Sequence, residues 1–107
     1  MLTPDQWKTI TGLVEWLDRQ NGRNQHEISM RLLKLVEEAG EAAQAYIGMQ
    51  GQNPRKGVTH SRADVEDELC DVIVTAAVAL ASITYAEPSR ILDAKLAKIA
   101  ARAKATA

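Results

Sequence analysis

Phenylalanine is absent from this chain, aromatic residues make up only 4% of it, and Cys70 is the single cysteine. One thiol cannot close an intrachain disulfide, which fits a reducing compartment and sets the expectation of a cytoplasmic location. Because Cys70 lies among apolar helical neighbours, it is expected to pack rather than to react. An excess of either charge is also missing: 13 basic residues stand against 14 acidic ones, for a net charge of -1. That balance gives no footing for a nucleic-acid polymer or an anionic membrane as partner. Long apolar runs are lacking as well. The longest, Val72 to Ile83, is too short for a bilayer and is interrupted by Thr75 and Ser82. Residues 1 to 20 carry Asp5, Lys8, Glu15, Asp18 and Arg19 in place of an apolar signal core, so no leader is expected. The only histidines, His26 and His60, fit neither Glu-x-x-His nor His-x-x-x-His spacing. This argues against zinc and against a ferritin-like di-iron centre, and both histidines are expected at the surface.

What is present is helical punctuation. Thr3-Pro4-Asp5-Gln6 supplies an N-cap hydroxyl, a proline at the first helical position and a Gln placed for a capping box. The helix it opens should run to about Gln20, because Asn21-Gly22 is a strong stop. Asn24 with Glu27 opens a second helix, along which Ile28, Leu32, Leu35, Ala39, Ala42 and Tyr46 recur at helical spacing before it fades into Gly48 and Gly51. Residues 50 to 61 are rich in turn formers and form the one substantial loop. Ser61 with Asp64 caps a third helix from about Arg62 to Thr84, with Val65, Leu69, Val72, Ile73, Ala76, Leu80 and Ile83 on one face. Pro88 opens a fourth, apolar along Ile91, Leu92, Leu96 and Ile99, whose Ala-rich tail beyond Ala100 is expected to fray. The expectation is one all-α domain over residues 1–107, a four-helix bundle-like subunit.

The second half of the third helix is apolar nearly all round, through Val74, Ala77, Val78 and Ala81. A helix apolar on every side is buried on every side, and one chain of this length has too few helices to surround it. An oligomer is therefore expected, with Val74 and Val78 against a neighbouring copy.

Two acidic clusters carry the chemistry. Glu38 and Glu41 stand three residues apart on the second helix, and Glu68 and Asp71 stand three apart on the third. That spacing places both members of a pair on one side of a helix. At about 100° per residue, Glu38 and Glu68 each fall roughly 80° from the apolar stripe of their helix, with Glu41 and Asp71 about 60° away on the other side. Two antiparallel helices packed through their stripes would then share a rim of four carboxylates. Such a rim needs neutralising, and a hard divalent cation such as Mg²⁺, with Mn²⁺ able to substitute, takes oxygen ligands. The alternative is a solvated acidic face in which Lys34 pairs with Glu37 or Glu38. Asp64, Glu66 and Asp67 add acidity but suit the helix dipole.

The run Lys34-Leu35-Val36-Glu37-Glu38-Ala39-Gly40-Glu41, a loop, then Asp67-Glu68-Leu69-Cys70-Asp71-Val72 resembles the MazG-like branch of the all-α nucleoside triphosphate pyrophosphohydrolases. Their signature is Glu-Glu-x-x-Glu followed by Glu-x-x-Asp, and the resemblance covers about residues 28 to 102. It implies a homodimer or homotetramer that hydrolyses a nucleoside triphosphate, a non-canonical or surplus one, to the monophosphate and pyrophosphate with Mg²⁺. Carried over by position, Glu38, Glu41, Glu68 and Asp71 would hold metal, and Glu37 would orient or deprotonate the attacking water. Lys95, Lys98 and Arg102 match positions that hold phosphates, with Lys34 as a further cation; where the family often has Asn, this chain has Ile99. Arg55 and Lys56 in the loop are candidates to close over the phosphates, and Trp16 or Trp7 to stack on the base. The rival expectation is a non-catalytic helical dimerisation or regulatory module that keeps the acids for structure.

Overall fold

A computed structural model of the chain describes residues 2–106. It contains four helices in order, α1 (Pro4–Asn21), α2 (Gln25–Gln50), α3 (Arg62–Ile83) and α4 (Pro88–Thr106), and no strand among the described residues. The caps are those the sequence offers. Thr3 with Gln6 and Ser61 with Asp64 form reciprocal capping boxes, and the Asn24 side chain accepts from the Glu27 amide. Each cap satisfies amide groups that a helix start otherwise leaves without partners. Past Gly51, whose φ of 64° ends α2, the loop turns back, and the Thr59 amide donates to the Gly48 carbonyl. A Cβ at Gly48 would collide with the His60 ring and the Thr59 hydroxyl, so glycine there is what allows the return. His60 is consequently half-buried rather than a free surface residue. The last helix continues to Thr106, past the Ala100 at which fraying is expected.

The main contact is between α2 and α3. Arg31 meets Ser82 near one end, and Glu38 meets Glu68 further along, so the numbering runs in opposite senses and the two helices form an antiparallel hairpin. Its seam differs from the stripe of large apolar residues. On α2 the less exposed positions include Ile28, Arg31, Leu35, Glu38, Ala42, Ala45 and Met49; on α3 they include Val65, Glu68, Val72, Thr75, Ala79 and Ser82. Both sets alternate spacings of three and four, the pattern of two helices packed along one line. Small residues occupy much of that line, letting the backbones come close. Leu32, Ala39, Tyr46, Leu69 and Ile73 are turned outward instead. Cys70 is exposed too, not packed.

Helix α1 crosses the C-terminal half of α3, where Trp7, Ile10 and Ala77 form a core cluster joined by Val78, Leu80, Ala81 and Leu92. Val78 packs partly against this cluster within the subunit and also lines an open cleft, and Val74 is exposed. Helix α4 turns away from α3 through 117° and buries no residue fully. The expected bundle does not close. The radius of gyration is 16.9 Å, against about 13 Å for a compact chain of this length. Among the described residues no single helix is long and apolar enough to cross a membrane.

Candidate metal centre

Because Glu38 and Glu68 lie on the seam itself, the helix packing that joins α2 to α3 presses their carboxylates together. One carboxylate oxygen from each of Glu38, Glu41 and Glu68 lies within 4.8 Å of the other two, and the same holds for Asp67, Glu68 and Asp71. Glu68 belongs to both groups. The four residues singled out by spacing are thus brought to one place, and Asp67 joins them although its position in the first turns of α3 pointed to the helix dipole. Asp64, by contrast, is taken up by Ser61, whose backbone and hydroxyl hold its carboxyl below the usual range.

The cluster is under-compensated. Glu38 Oε2 and Glu68 Oε2 are buried and have no hydrogen-bond partner. A buried polar atom without a partner costs free energy, so it calls for an explanation by something that binds there. Burial raises the Glu38 carboxyl above its ordinary value, and the neighbouring charges of Glu41 and Asp71 push the same way. Lys34 Nζ, 3.6 Å from Glu38 Oε1, opposes them, but its shorter bond is to Glu37. Oxygens on one octahedral Mg²⁺ stand roughly 3 to 4 Å apart, a spread these side chains reach by small rotations. The residues present therefore fit a divalent cation.

Other expected site residues lie elsewhere. Glu37 belongs to neither acidic group and is exposed, its carboxylate held by Lys34. Lys95, Lys98 and Arg102 are exposed on α4 and make no ion pair among the described residues. Arg55 and Lys56 are exposed in the loop, where Lys56 edges a recess beside Gln44 and His60. Trp7 is a core anchor, whereas Trp16 is half exposed. Trp16 borders a cleft of about 390 Å³ that has α3 as its floor, through Val74, Thr75 and Val78, and α1 and α2 as its walls. Lys34 lines the same cleft, so cleft and acidic cluster are neighbours.

Sequence reasoning missed a second charged centre. Arg31 is buried and donates to Glu27 Oε2, Ser82 Oγ and the Gly22 carbonyl while pairing with Asp18 at 3.0 Å. Arg23 adds bonds to Asp18 and to the Ser82 carbonyl. This network ties the ends of α1 and α3 to the start of α2. The available signal was Arg31 three residues after Ile28 on the packing line, four after Glu27.

Comparison of the chain with family models, with curated proteins and with solved structures finds no match.

Proposed function

We propose that this protein is a Mg²⁺-dependent nucleoside triphosphate pyrophosphohydrolase that works as a homo-oligomer. The observation that carries the reading is the pair of buried, partnerless carboxylate oxygens of Glu38 and Glu68 at the centre of a five-carboxylate cluster. Its order of residues, Glu-Glu-x-x-Glu then Glu-x-x-Asp, supports the same conclusion. Glu38, Glu41, Glu68 and Asp71 would hold the cation, which when bound neutralises triphosphate charge and acidifies water. Lys34 pairs with Glu37 and Glu38 at the rim of the cleft and can turn to an arriving phosphate. That movement frees the Glu37 carboxylate to accept a proton as water adds to phosphorus and pyrophosphate leaves. Trp16 offers a face for the base.

Assembly completes the account. Leu33, Val36, Ile73 and Ile99 are well exposed, α4 buries nothing fully, and the subunit is expanded. A second copy covering these faces gives α4 a surface to pack on and can carry Lys95, Lys98 and Arg102 to a neighbour's acids. Sedimentation at micromolar concentration is expected to give a dimer or tetramer, and the Val36→Glu, Ile73→Glu double variant to shift it toward monomer. A monomeric wild type contradicts this.

The exposed faces equally suit the second reading, a helical dimerisation module without turnover. Incubating the protein with a panel of nucleoside triphosphates and Mg²⁺ and detecting pyrophosphate separates the two. Release from at least one nucleotide, abolished by a chelator, is expected; release from none leaves the scaffold.

A further inference from the structure

The cleft beside Trp16 is apolar along most of its wall, from Trp16, Met30, Val74 and Val78, but one polar feature in it is fixed unusually firmly. Glu27 is mostly buried, and its Oε2 accepts both from Arg31 Nε at 2.8 Å and from Asn21 Nδ2 at 3.3 Å. Its Oε1 makes no hydrogen bond among the described residues and is not shut off from solvent. The carboxylate is therefore a rigid acceptor with one oxygen still to be satisfied. The Arg31 hydrogen bond also holds its carboxyl below the usual range, so it stays ionised at neutral pH. Arg31 itself is occupied by Glu27, Ser82, Gly22 and Asp18, and is not a competing donor of any consequence.

A flat apolar slot with a fixed anionic acceptor, next to a cation site through Lys34, matches a nucleobase whose edge carries N–H donors. An exocyclic amino group satisfies the free oxygen. A carbonyl in the same place would set two acceptors against each other and leave both unpaired, the situation that gives polar sites their strongest discrimination. We infer that Glu27 is a specificity-determining residue that selects nucleotides bearing an exocyclic amino group on the base over their oxo counterparts. This rests on the proposed hydrolase reading for its choice of nucleotide, while Glu27 and the cleft define the selectivity.

The test compares pairs that differ chiefly in amino versus oxo, dCTP with dUTP and dATP with dITP, by pyrophosphate release. The wild type should favour the amino member by about tenfold or more in kcat/KM. In Glu27→Gln the side-chain oxygen keeps the bonds from Arg31 and Asn21, which turns the amide donor toward the cleft. The preference should then fall or reverse, with kcat affected less than KM. Equal rates for both members of each pair in the wild type overturn the inference and leave the hydrolase standing. If no nucleotide is hydrolysed, quenching of Trp16 fluorescence by cytidine against uridine decides it. Stronger quenching by cytidine, lost in Glu27→Gln, supports the cleft while the hydrolase fails; equal or no quenching overturns the cleft.

Discussion

The α2–α3 hairpin carries buried charge at two places, and they have opposite electrostatic characters. At one end Glu27 and Asp18 face Arg31 and Arg23, every strong donor is met, and the Glu27 carboxyl is held below its ordinary value by Arg31. Further along the seam Glu38 and Glu68 face other acids, each has an oxygen without a partner, and burial pushes the Glu38 carboxyl up. Both sites use the same residue type on the same helix, α2. A charged group on a packing line that finds its counter-ion within the chain is fixed in place by it, whereas a cluster of like charges that lacks one is where a cation can bind. The seam's small residues give both centres their burial.

The sharpest way to break the contrast is to neutralise one side chain at each place. Glu38→Gln should lower pyrophosphate release by about a thousandfold or more while circular dichroism stays unchanged, because it removes a cation ligand and relieves repulsion. Undiminished turnover would remove Glu38 from the site. Arg31→Met should do the reverse, acting through stability by leaving Glu27 without its cationic partner and Asp18 with Arg23 alone. Losing the cation at the centre of this partly buried network should lower the melting temperature by several degrees. A melting temperature within a degree or two of wild type would show the network to be dispensable.

Smaller in size but more specific is a pair of pH dependences of opposite sign. A raised carboxyl favours the folded state while protonated, so Glu38's contribution is present below its ordinary 4.5 and is lost as pH rises through its raised value. Without metal, Glu38→Gln should therefore melt a few degrees above wild type at pH 7, and the gap should close as the pH falls toward 4.5. Glu27 has a depressed value, so its contribution is present above 4.5 and is lost as pH falls through that depressed value. Glu27→Gln should melt below wild type at pH 7, with a deficit that narrows only in stronger acid. Melting curves from pH 3 to 8 measure both, and parallel profiles for the two variants would erase the distinction.

The helix order, the caps and the one-sided placement of each acidic pair were legible because they are local: Thr3-Gln6, Ser61-Asp64 and the three-residue carboxylate spacing act within one or two turns. The seam was not. Leu32, Leu69 and Ile73 dominate a hydrophobic stripe, yet the helices approach through Ala42, Ala45, Ala79 and Ser82, since close packing of backbones favours small side chains over large ones. Glu38 consequently lies on the contact line and not at its margin. The Arg31 network was equally hidden, as Asp18, Glu27 and Ser82 come from three different helices and only the tertiary fold brings them together. The position of α4 was out of reach for a further reason. Its apolar face is largely uncovered within the subunit, so contacts inside one chain do not determine where it packs.

Calorimetric titration of the nucleotide-free protein with Mg²⁺, repeated with Mn²⁺, bears most directly on the claim that the under-compensated acids form a cation site. Saturable binding to the wild type is expected, weakened at least tenfold in Glu38→Gln and in Glu68→Gln but unchanged in Glu66→Gln, an exposed acid outside both groups. No binding to the wild type at millimolar metal, or equal binding by all four proteins, would contradict it.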